Sequence, residues 1–330
     1  MKILITGANG QLGTEISLAL AERYGSPNVI TTDIVPNSRH PHIVHELLDV
    51  TDAGQLDEII KRHGVTQIYH LAAALSATGE TAPQWAWNLN MAGLLNVLEA
   101  ARKFKLEKIF WPSSIAAFGP TTPADATPQK TVMEPSTVYG ISKLAGEGWC
   151  RWYFEKHHVD VRSLRYPGLI SYKTLPGGGT TDYAIDIFHA ALRGDTYQCF
   201  LAEDEELPML HMEDAVRATI ELMEASASAI TERGSYNLAG VSFTPSQIAA
   251  EIQKHVPGFD LKYAPDFRQA IAHGWPNSID DSRASEDWGW LPRLRLAQIV
   301  ENMLANLSRT AAHPESRSDK VASHASASSL

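Results

Sequence analysis

Short apolar, β-branched runs alternate with longer stretches of helical periodicity through the first two thirds of the chain. The short runs predict strands, which lie at 2–6, 28–33, 67–71, 108–113 and 160–166. The helical stretches between them lie at 11–24, 52–63, 82–103 and 137–157. This alternation is typical of βαβ units. It predicts an α/β fold with a Rossmann-type, doubly wound parallel sheet.

The pattern changes after Tyr166, where a polar segment rich in glycine and proline begins. Such a segment is not expected in the interior of a strand. Farther along the chain, a helix at 211–228 and a strand at 234–239 are expected to rejoin the sheet. The stretch 241–307 then predicts a smaller, mixed C-terminal lobe.

These patterns divide the chain into three parts. We expect a sheet domain built from 1–166 with 205–240, and a smaller lobe built from 167–204 and 241–307. Residues 308–330 are rich in Ser, Ala, His and Arg and have no periodicity. Their composition predicts a flexible tail.

Composition and charge narrow the classes of function. Hydrophobic residues make up 44% of the 330 positions and charged residues 20%, as in an ordinary globular protein. The net charge of −10 argues against nucleic acid or an anionic membrane as the main partner. No apolar run approaches the ~18 residues that span a bilayer, and we expect no signal segment before the first strand. Because Cys150 and Cys199 have no metal-type spacing, we interpret them as unpaired thiols in the cytoplasm or, after processing, an organelle matrix.

Three glycines mark the turn from the first predicted strand into the first helix: Gly7, Gly10 and Gly13. Glycine allows a tight turn and a close approach to a diphosphate, which the helix N-terminus then attracts. Asp33 ends the second predicted strand, where a carboxylate can accept hydrogen bonds from a ribose. It would repel the 2′-phosphate of NADP, and the next residues, Ile34 to Pro36, supply no cation. The pattern predicts an NAD site.

Two further stretches are weaker candidates for contacts with the cofactor. Asp49 and Val50 follow a third strand-like stretch, where they would meet the adenine edge. Leu71, Ala72 and Ala73 follow the strand at 67–71 and present small side chains where the cofactor would pass.

Tyr139 and Lys143 stand one turn apart in a predicted helix, and Ser114 follows the strand at 108–113. A free phenol titrates near ~10, too high for a base at neutral pH. The Lys143 ammonium on the same helix face would stabilise the phenolate, and Ser114 would hydrogen-bond a substrate oxygen as charge develops on it. These residues form a set for oxidising an alcohol, with Tyr139 as the general base.

Histidines offer a different chemistry. His40, His42 and His45 lie in a Pro-containing loop, but no carboxylate pattern accompanies them. We therefore interpret them as solvated side chains and assign no metal site. His157 and His158 lie at the end of a predicted helix, and we interpret them as complementing the helix dipole there.

Taken together, the motifs of the chain resemble those of the extended short-chain dehydrogenase/reductases, the group that contains the UDP-galactose 4-epimerases. The resemblance covers about residues 1–307. The matching stretches are TGANGQLG at 6–13, Asp33, HLAA at 70–73, Asn88-Leu-Asn90 with Gly93, PSSIAAFG at 112–119, YGISK at 139–143, LRYPG at 164–168 and LHMEDA at 210–215.

The resemblance extends the predicted NAD site. It implies that Asn90 helps to position Lys143 and that the backbone after Tyr166 touches the nicotinamide. Besides the glycines, Asp33 and the two weaker stretches, it assigns to the cofactor Asn9, Gln11, Leu12, Ile34, Asn90, Tyr139, Lys143, Tyr166, Pro167 and Leu169.

Two differences from related sugar-modifying enzymes argue against nucleotide-sugar binding and against dehydration. Epimerases carry an asparagine that contacts the substrate diphosphate where this chain has Gly168. Sugar dehydratases need an acid and a base beside the serine, where Ile115 and Ala116 stand here. The segment at 166–188 instead resembles the short-chain-type L-threonine 3-dehydrogenases.

This second resemblance implies a pocket for a small zwitterion in the smaller lobe. The glycines at 177–179 bring backbone close to a ligand, and Thr180 and Thr181 offer donors for a carboxylate. Asp182 would face an ammonium or cap the helix that begins there. The resemblance adds Ser76 as a polar contact and Trp275 as the residue that closes the pocket; with Ser114 and Tyr139 these form the expected substrate site.

The expected reaction is oxidation of the 3-hydroxyl of L-threonine by NAD⁺ to L-2-amino-3-oxobutanoate. A UDP-sugar 4-epimerase and a non-catalytic NAD-binding regulator are the alternatives, although the regulator predicts a missing Tyr139 or Lys143. The resemblance also implies a homodimer in which the helices at 82–103 and 137–157 pair with those of a second copy.

Overall fold

The computed structural model describes residues 1–175 and 177–312. Its strands, in chain order, are β1 (Ile3–Thr6), β2 (Val29–Asp33), β3 (Val44–Leu47), β4 (Gln67–His70), β5 (Lys108–Ser114), β6 (Val161–Tyr166), β7 (Gly168–Ile170), β8 (Tyr197–Cys199), β9 (Leu207–His211), β10 (Tyr236–Asn237), β11 (Val241–Phe243) and β12 (Leu261–Tyr263). Its helices are α1 (Gln11–Tyr24), α2 (Ala53–His63), α3 (Ser76–Thr81), α4 (Pro83–Phe104), α5 (Val138–His157), α6 (Tyr183–Arg193), α7 (Met212–Glu224), α8 (Pro245–Gln253), α9 (Phe267–Ala272), α10 (Ser282–Trp288) and α11 (Leu296–Ala312).

Seven strands form one parallel sheet in the order β10-β6-β5-β4-β1-β2-β3. The predicted doubly wound parallel sheet is therefore confirmed. The strand order reverses between β1 and β4, and in such sheets ligands bind in the crevice outside the carboxyl ends of the strands at this point. The glycine-rich turn after β1 and the segment after β4 both lie there.

The sheet is covered on both faces, and its central strands are accordingly apolar. Ile3, Leu4 and Ile5 of β1 are fully buried. One side of the sheet packs against α1 and α7, and the other packs against α2, α4 and α5. The two layers fix the position of α5 against the end of β5.

Each strand and helix predicted before Tyr166 is present, with ends that shift by at most two residues. The strand expected at 234–239 is β10, which pairs with β6 and so does rejoin the sheet. No bounds are predicted above for the strand β3 or for the short helix α3. Both are too short for their periodicity to be read.

The C-terminal part adds two small sheets, ordered β11-β9-β7 and β12-β8. They pack with α6, α8 and α11 around a separate apolar cluster that includes Phe188, Phe243 and Met303. The last helix continues to Ala312, so 308–312 are helical although a tail was predicted from 308. The rest of that predicted tail, 313–330, lies outside the described residues. Within the described ranges, no helix is long and apolar enough to cross a membrane.

Two glycines let α5 lie close to β5. A Cβ on Gly146 would stand 2.6 Å from Cζ2 of the Trp111 ring and 3.0 Å from Leu94. A Cβ on Gly140 would overlap the carbonyl oxygen of Ala116. Gly148, on the same helix, has nothing within 4 Å of its Cβ position. The close approach therefore depends on particular glycines of this helix.

We predict opposite effects for two alanine substitutions in α5. Gly146→Ala should lower the free energy of unfolding by about 1–3 kcal/mol, because the added methyl group overpacks a buried interface. The matched control Gly148→Ala should raise it by about 0.5–1 kcal/mol, because alanine favours a helix over glycine. Urea denaturation of both variants tests this. Equal effects of the two substitutions would contradict the packing described.

Candidate active site

The end of β5 faces one side of α5. Ser114 is the last residue of β5. Helix α5 begins two residues before Gly140, and Thr137 caps it by accepting a hydrogen bond from the Gly140 N–H at 3.0 Å. Tyr139 and Lys143 then lie one turn apart on the side that faces the strand.

Successive residues of β5 contact successive turns of α5. Lys143 Nζ donates to the Pro112 carbonyl oxygen at 2.6 Å. The side chain of Ser114 lies beside the Tyr139 hydroxyl and lowers the pKa of that phenol. The Ser114 oxygen also accepts a hydrogen bond from the Ala116 N–H at 3.1 Å, which fixes its rotamer. Strand and helix thus hold the three predicted catalytic side chains together.

Burial dominates the electrostatics of Tyr139 and Lys143. It raises the pKa of Tyr139 to about 12, and the neighbouring Ser114 side chain only partly opposes this. Burial also lowers the pKa of Lys143 to about 7, against the opposing effects of Cys150 and Glu147. Lys143 Nζ stands 5.3 Å from the centre of the Tyr139 ring and donates to the Pro112 carbonyl oxygen, so the acidifying effect expected of Lys143 on the phenol stays a prediction.

The glycine-rich turn forms a cradle at the start of α1. Gly7 has a φ of +67°, and a Cβ there would stand 2.6 Å from the Ala72 nitrogen. A Cβ on Gly13 would overlap the Gly7 carbonyl, whereas on Gly10 it would meet only that oxygen, at 3.3 Å. No acidic residue lies in the first turn of α1. The side-chain amide nitrogen of Gln11 is buried without a hydrogen-bond partner among the described residues. Free N–H donors and open space at a helix N-terminus fit a diphosphate.

Asp33 lies beside this cradle at the end of β2. One of its oxygens accepts a hydrogen bond from the Asn9 N–H at 3.0 Å, and the other accepts one from the Val35 N–H at 3.3 Å. The Asn9 side chain donates to the Asn37 carbonyl at 3.0 Å and so ties the following loop to the glycine turn. The carboxylate is thus held at the sheet edge, while the adjacent Ile34 is 69% exposed.

A cavity of about 240 Å³ lies between the cradle and α5. Most of the predicted site residues meet around it. Its predicted lining residues are Gly7, Gly10, Gln11, Leu12, Gly13, Leu71, Ala73, Ser76, Ser114, Tyr139, Lys143, Tyr166, Pro167, Leu169, Thr180, Thr181, Asp182 and Trp275.

The predicted residues outside the cavity lining include several that hold the structure around it. The Asp49 carboxylate accepts hydrogen bonds from the N–H and the hydroxyl of Thr51, at 2.9 and 2.7 Å. Val50 is buried and packs against Gly93. Asn90 bonds the backbone of Ala74 and the hydroxyl of Ser142, one residue before Lys143. Ala72 forms the wall behind Gly7.

Polar groups converge at the other end of the cavity. The hydroxyls of Ser76 and Thr180 are 3.3 Å apart. Asp182 lies just before α6 but makes no capping hydrogen bond to it. Its carboxylate instead accepts hydrogen bonds from the N–H groups of Gly178 and Gly179, at 2.8 and 2.6 Å. Burial raises the pKa of Asp182 to about 6, against these two bonds. Trp275 from the C-terminal part also lines the cavity.

Gly179, one of the glycines expected near a ligand, also lines the cavity. Sequence reasoning missed several other lining residues: Leu75, Pro112, Ser113, Ile115 and Gly168. It also missed the buried carboxylate of Glu147, which accepts hydrogen bonds from Ser113 and Arg165. Its spacing of four residues from Lys143 was a usable signal, because that spacing puts both side chains on one helix face.

The histidine loop holds no cluster of ligands. His40 is buried, with Nε2 at 2.9 Å from the Thr14 carbonyl, so its interpretation as a solvated side chain was wrong. His45 contacts the Thr31 hydroxyl and the Val35 carbonyl. In the part of the chain that the structure describes, no group of three or more His, Cys, Asp or Glu side chains is placed to hold a metal ion.

Comparisons with known proteins agree with this geometry. The model of the NAD dependent epimerase/dehydratase family matches residues 3–239. An uncharacterized epimerase/dehydratase of Staphylococcus haemolyticus is 48% identical over 307 residues, 92% of this chain and 96% of that protein. A GalE-like L-threonine dehydrogenase from Cupriavidus necator, solved in its holo form, is 70% identical with a TM-score of 0.92, over 93% of this chain and 100% of that one. A monomeric L-threonine 3-dehydrogenase from a metagenome is 45% identical with a TM-score of 0.90, over 93% and 99% of the two chains.

Proposed function

The chain belongs to the NAD dependent epimerase/dehydratase family, and within it we propose that this protein oxidises the 3-hydroxyl of L-threonine with NAD⁺ to L-2-amino-3-oxobutanoate. The observation that carries the proposal is that Ser114, Tyr139 and Lys143 line one wall of a cavity that joins the glycine cradle to Asp182. The similarity to solved L-threonine dehydrogenases supports the choice of substrate.

The residues that would hold the cofactor lie in the domain formed by 1–166 and 205–240. Gly7, Gly10 and Gly13 would make room for its diphosphate, and Asp33 would accept hydrogen bonds from the adenosine ribose. Asn9, Gln11 and Leu12 lie in the same turn, while Tyr166, Pro167 and Leu169 would lie beside the nicotinamide end. Bound NAD⁺ would supply the acceptor for the hydride that leaves C3.

The proton of the substrate hydroxyl goes to Tyr139. Because burial holds the pKa of this phenol at about 12 without ligand, a nearby positive charge is needed to make it a base. Lys143 provides one such charge when protonated, and the cofactor ring provides another. Ser114 donates a hydrogen bond to the substrate oxygen and so orients it.

The amino acid end of the substrate lies in the lobe formed by 167–204 and 241–307. Asp182 faces the ammonium, and its pKa of about 6 leaves the carboxylate ionised at neutral pH. Ser76, Thr180 and Thr181 offer hydroxyl donors to the carboxylate of the substrate. Trp275 covers the ligand and excludes water.

The product is a β-keto acid. Such acids lose CO₂ readily, so the product either decomposes to aminoacetone or is cleaved to glycine by a ligase. The proposed role is therefore in threonine catabolism.

The alternative of a UDP-sugar 4-epimerase is disfavoured at one position. A Cβ on Gly168 would overlap the Met209 sulfur and stand 2.8 Å from the Thr181 Cβ. An asparagine side chain at this position, which epimerases use on the substrate diphosphate, therefore does not fit this backbone. The packing supports a small substrate.

A substrate panel tests the function. We predict NADH formation with L-threonine, and at least about tenfold lower kcat/KM with L-serine, because the cavity wall loses its contact with the C4 methyl group. D-threonine and UDP-hexoses should give no turnover. Replacing NAD⁺ with NADP⁺ serves as the cofactor control, since Asp33 repels a 2′-phosphate. Turnover of a UDP-hexose without turnover of L-threonine would overturn the proposal.

The outer face of α4 and α5 favours a homodimer. This face carries large apolar side chains that are exposed by 38–53%: Trp85, Trp87, Ile141, Trp149 and Trp152. They continue a surface hollow formed by Pro83, Gln84, Trp87, Val138 and Ile141. An apolar face of this kind marks an interaction site, and a second copy of the chain would pair the same helices in a four-helix bundle.

We predict that Trp149→Glu converts a dimer to a monomer in size-exclusion chromatography with light scattering. The charge would be buried without a partner at the centre of the α5 face. Leu291→Glu, at a site 65% exposed and distant from this face, is the control and should leave the dimer intact. A monomeric wild type, as described for the metagenomic relative, would contradict the dimer.

A further inference from the structure

A buried carboxylate lies directly behind the reacting groups. Glu147 is 2% exposed and accepts hydrogen bonds from Arg165 Nε and Nη2, at 2.9 and 2.7 Å. It also accepts one from the Ser113 hydroxyl at 2.6 Å. Arg165 is anchored in turn by the Gln129 carbonyl and the Asn237 side chain, each at 2.9 Å. The Glu147 carboxylate is therefore held by three hydrogen bonds from two side chains.

The geometry links this carboxylate to Lys143. The two residues are four positions apart in α5 and both are buried. They bond to adjacent residues of β5, Lys143 to the Pro112 carbonyl and Glu147 to the Ser113 hydroxyl. Ser114, the next residue, lies beside the Tyr139 hydroxyl. Glu147 is thus one of the contacts that hold α5 against the end of β5.

The groups that face Lys143 come from three elements. They are Tyr139, Glu147 and Cys150 from α5, the Trp111 ring and Pro112 carbonyl from β5, and His70 from β4. Burial raises the pKa of the Cys150 thiol and of the Tyr139 phenol, and lowers the pKa of His70 to about 3. These three groups are therefore neutral near pH 7. Among the groups facing Lys143, Glu147 supplies the negative charge.

We propose that Glu147 is a positioning residue for the reaction: its carboxylate keeps Lys143 protonated and holds the Ser113–Ser114 backbone against α5. The inference rests on the proposed function, because it assigns to Lys143 a charge that the oxidation needs. It goes beyond that function by naming the group that maintains the charge. Burial alone pushes the Lys143 ammonium toward its neutral form, and Glu147 acts in the opposite direction.

The test begins with Glu147→Gln, which keeps the shape and one acceptor but removes the charge. Asp160→Asn is the matched control, because Asp160 also pairs with buried Arg162 and lies at the other end of β6. We expect kcat for L-threonine to fall in Glu147→Gln while its KM and the Kd for NAD⁺ change less than about threefold. The ratio of the wild-type kcat to the Glu147→Gln kcat should rise by up to about tenfold between pH 6 and pH 8. The reason is that Lys143 should lose its proton at a pH about one unit lower in the variant than in wild type. Asp160→Asn should show no such pH dependence.

A second readout needs no turnover. The pKa of Lys143 is lowered in the folded protein, so folding is penalised fully below about pH 7 and the penalty fades as pH rises toward 10.5. Lys143→Met should therefore raise the melting temperature most at low pH. In the Glu147→Gln background, Lys143→Met should raise the melting temperature more than it does in wild type. This increase should also begin to decline at a pH about one unit lower. If Glu147→Gln does not fold, the pair Glu147→Gln with Arg165→Gln, which removes both charges, replaces it as background.

The outcomes separate the two proposals. Suppose that wild type does not oxidise L-threonine while the rise in melting temperature on Lys143→Met depends on Glu147 as described. In that case the proposed function fails, and the effect of Glu147 on the charge of Lys143 stands. If the rise and its pH dependence are the same in both backgrounds, Glu147 does not act on Lys143 and the inference fails. A loss of kcat in Glu147→Gln that is independent of pH and equal to that of Asp160→Asn would also overturn it.

Discussion

The contact between the end of β5 and one face of α5 is the interaction on which the rest of the site depends. Three consecutive strand residues face three successive turns of the helix. Pro112 and Ser113 bond to Lys143 and Glu147, and Ser114 lies beside Tyr139. Hydrogen bonds of this kind need a close approach, and Gly140 and Gly146 allow it. The sheet order places the same strand end next to the crevice where a dinucleotide binds.

Burial sets the pKa values of the groups at this contact, and it also imposes a desolvation penalty on them. It removes water from Tyr139 and Lys143, which raises the pKa of the phenol to about 12 and lowers that of the ammonium to about 7. Neither pKa suits the proposed proton transfer, which needs a further positive charge near Tyr139. The Glu147–Arg165 pair adds two more buried ions, whose desolvation must be offset by their mutual hydrogen bonds. The buried charges of the site thus lower the stability of the fold while they hold the geometry in which a cofactor would bind.

The sequence was sufficient for features that depend on local spacing. The glycine turn, Asp33 at a strand end, and the four-residue step from Tyr139 to Lys143 are such features, and the cavity brings most of their side chains together. Features that depend on tertiary packing were not predictable. Asp49 bonds to its own turn, His40 is buried by the fold, and the pKa direction of Tyr139 follows from the desolvation that surrounding elements impose. Asp182 turns back to Gly178 and Gly179, which sequence spacing left open between capping and binding.

In the proposed reaction, the phenolate oxygen of Tyr139 takes the proton while a dinucleotide occupies the adjacent cradle. Tyr139→Phe removes this oxygen and leaves the ring that packs beside Lys143. The most direct measurement is the single-turnover rate of NADH formation from L-threonine, together with the Kd for NAD⁺. We expect an unchanged Kd and a rate lower by about 10²–10⁴-fold. A rate within about threefold of wild type, with NAD⁺ bound equally well, would show that Tyr139 is not the base.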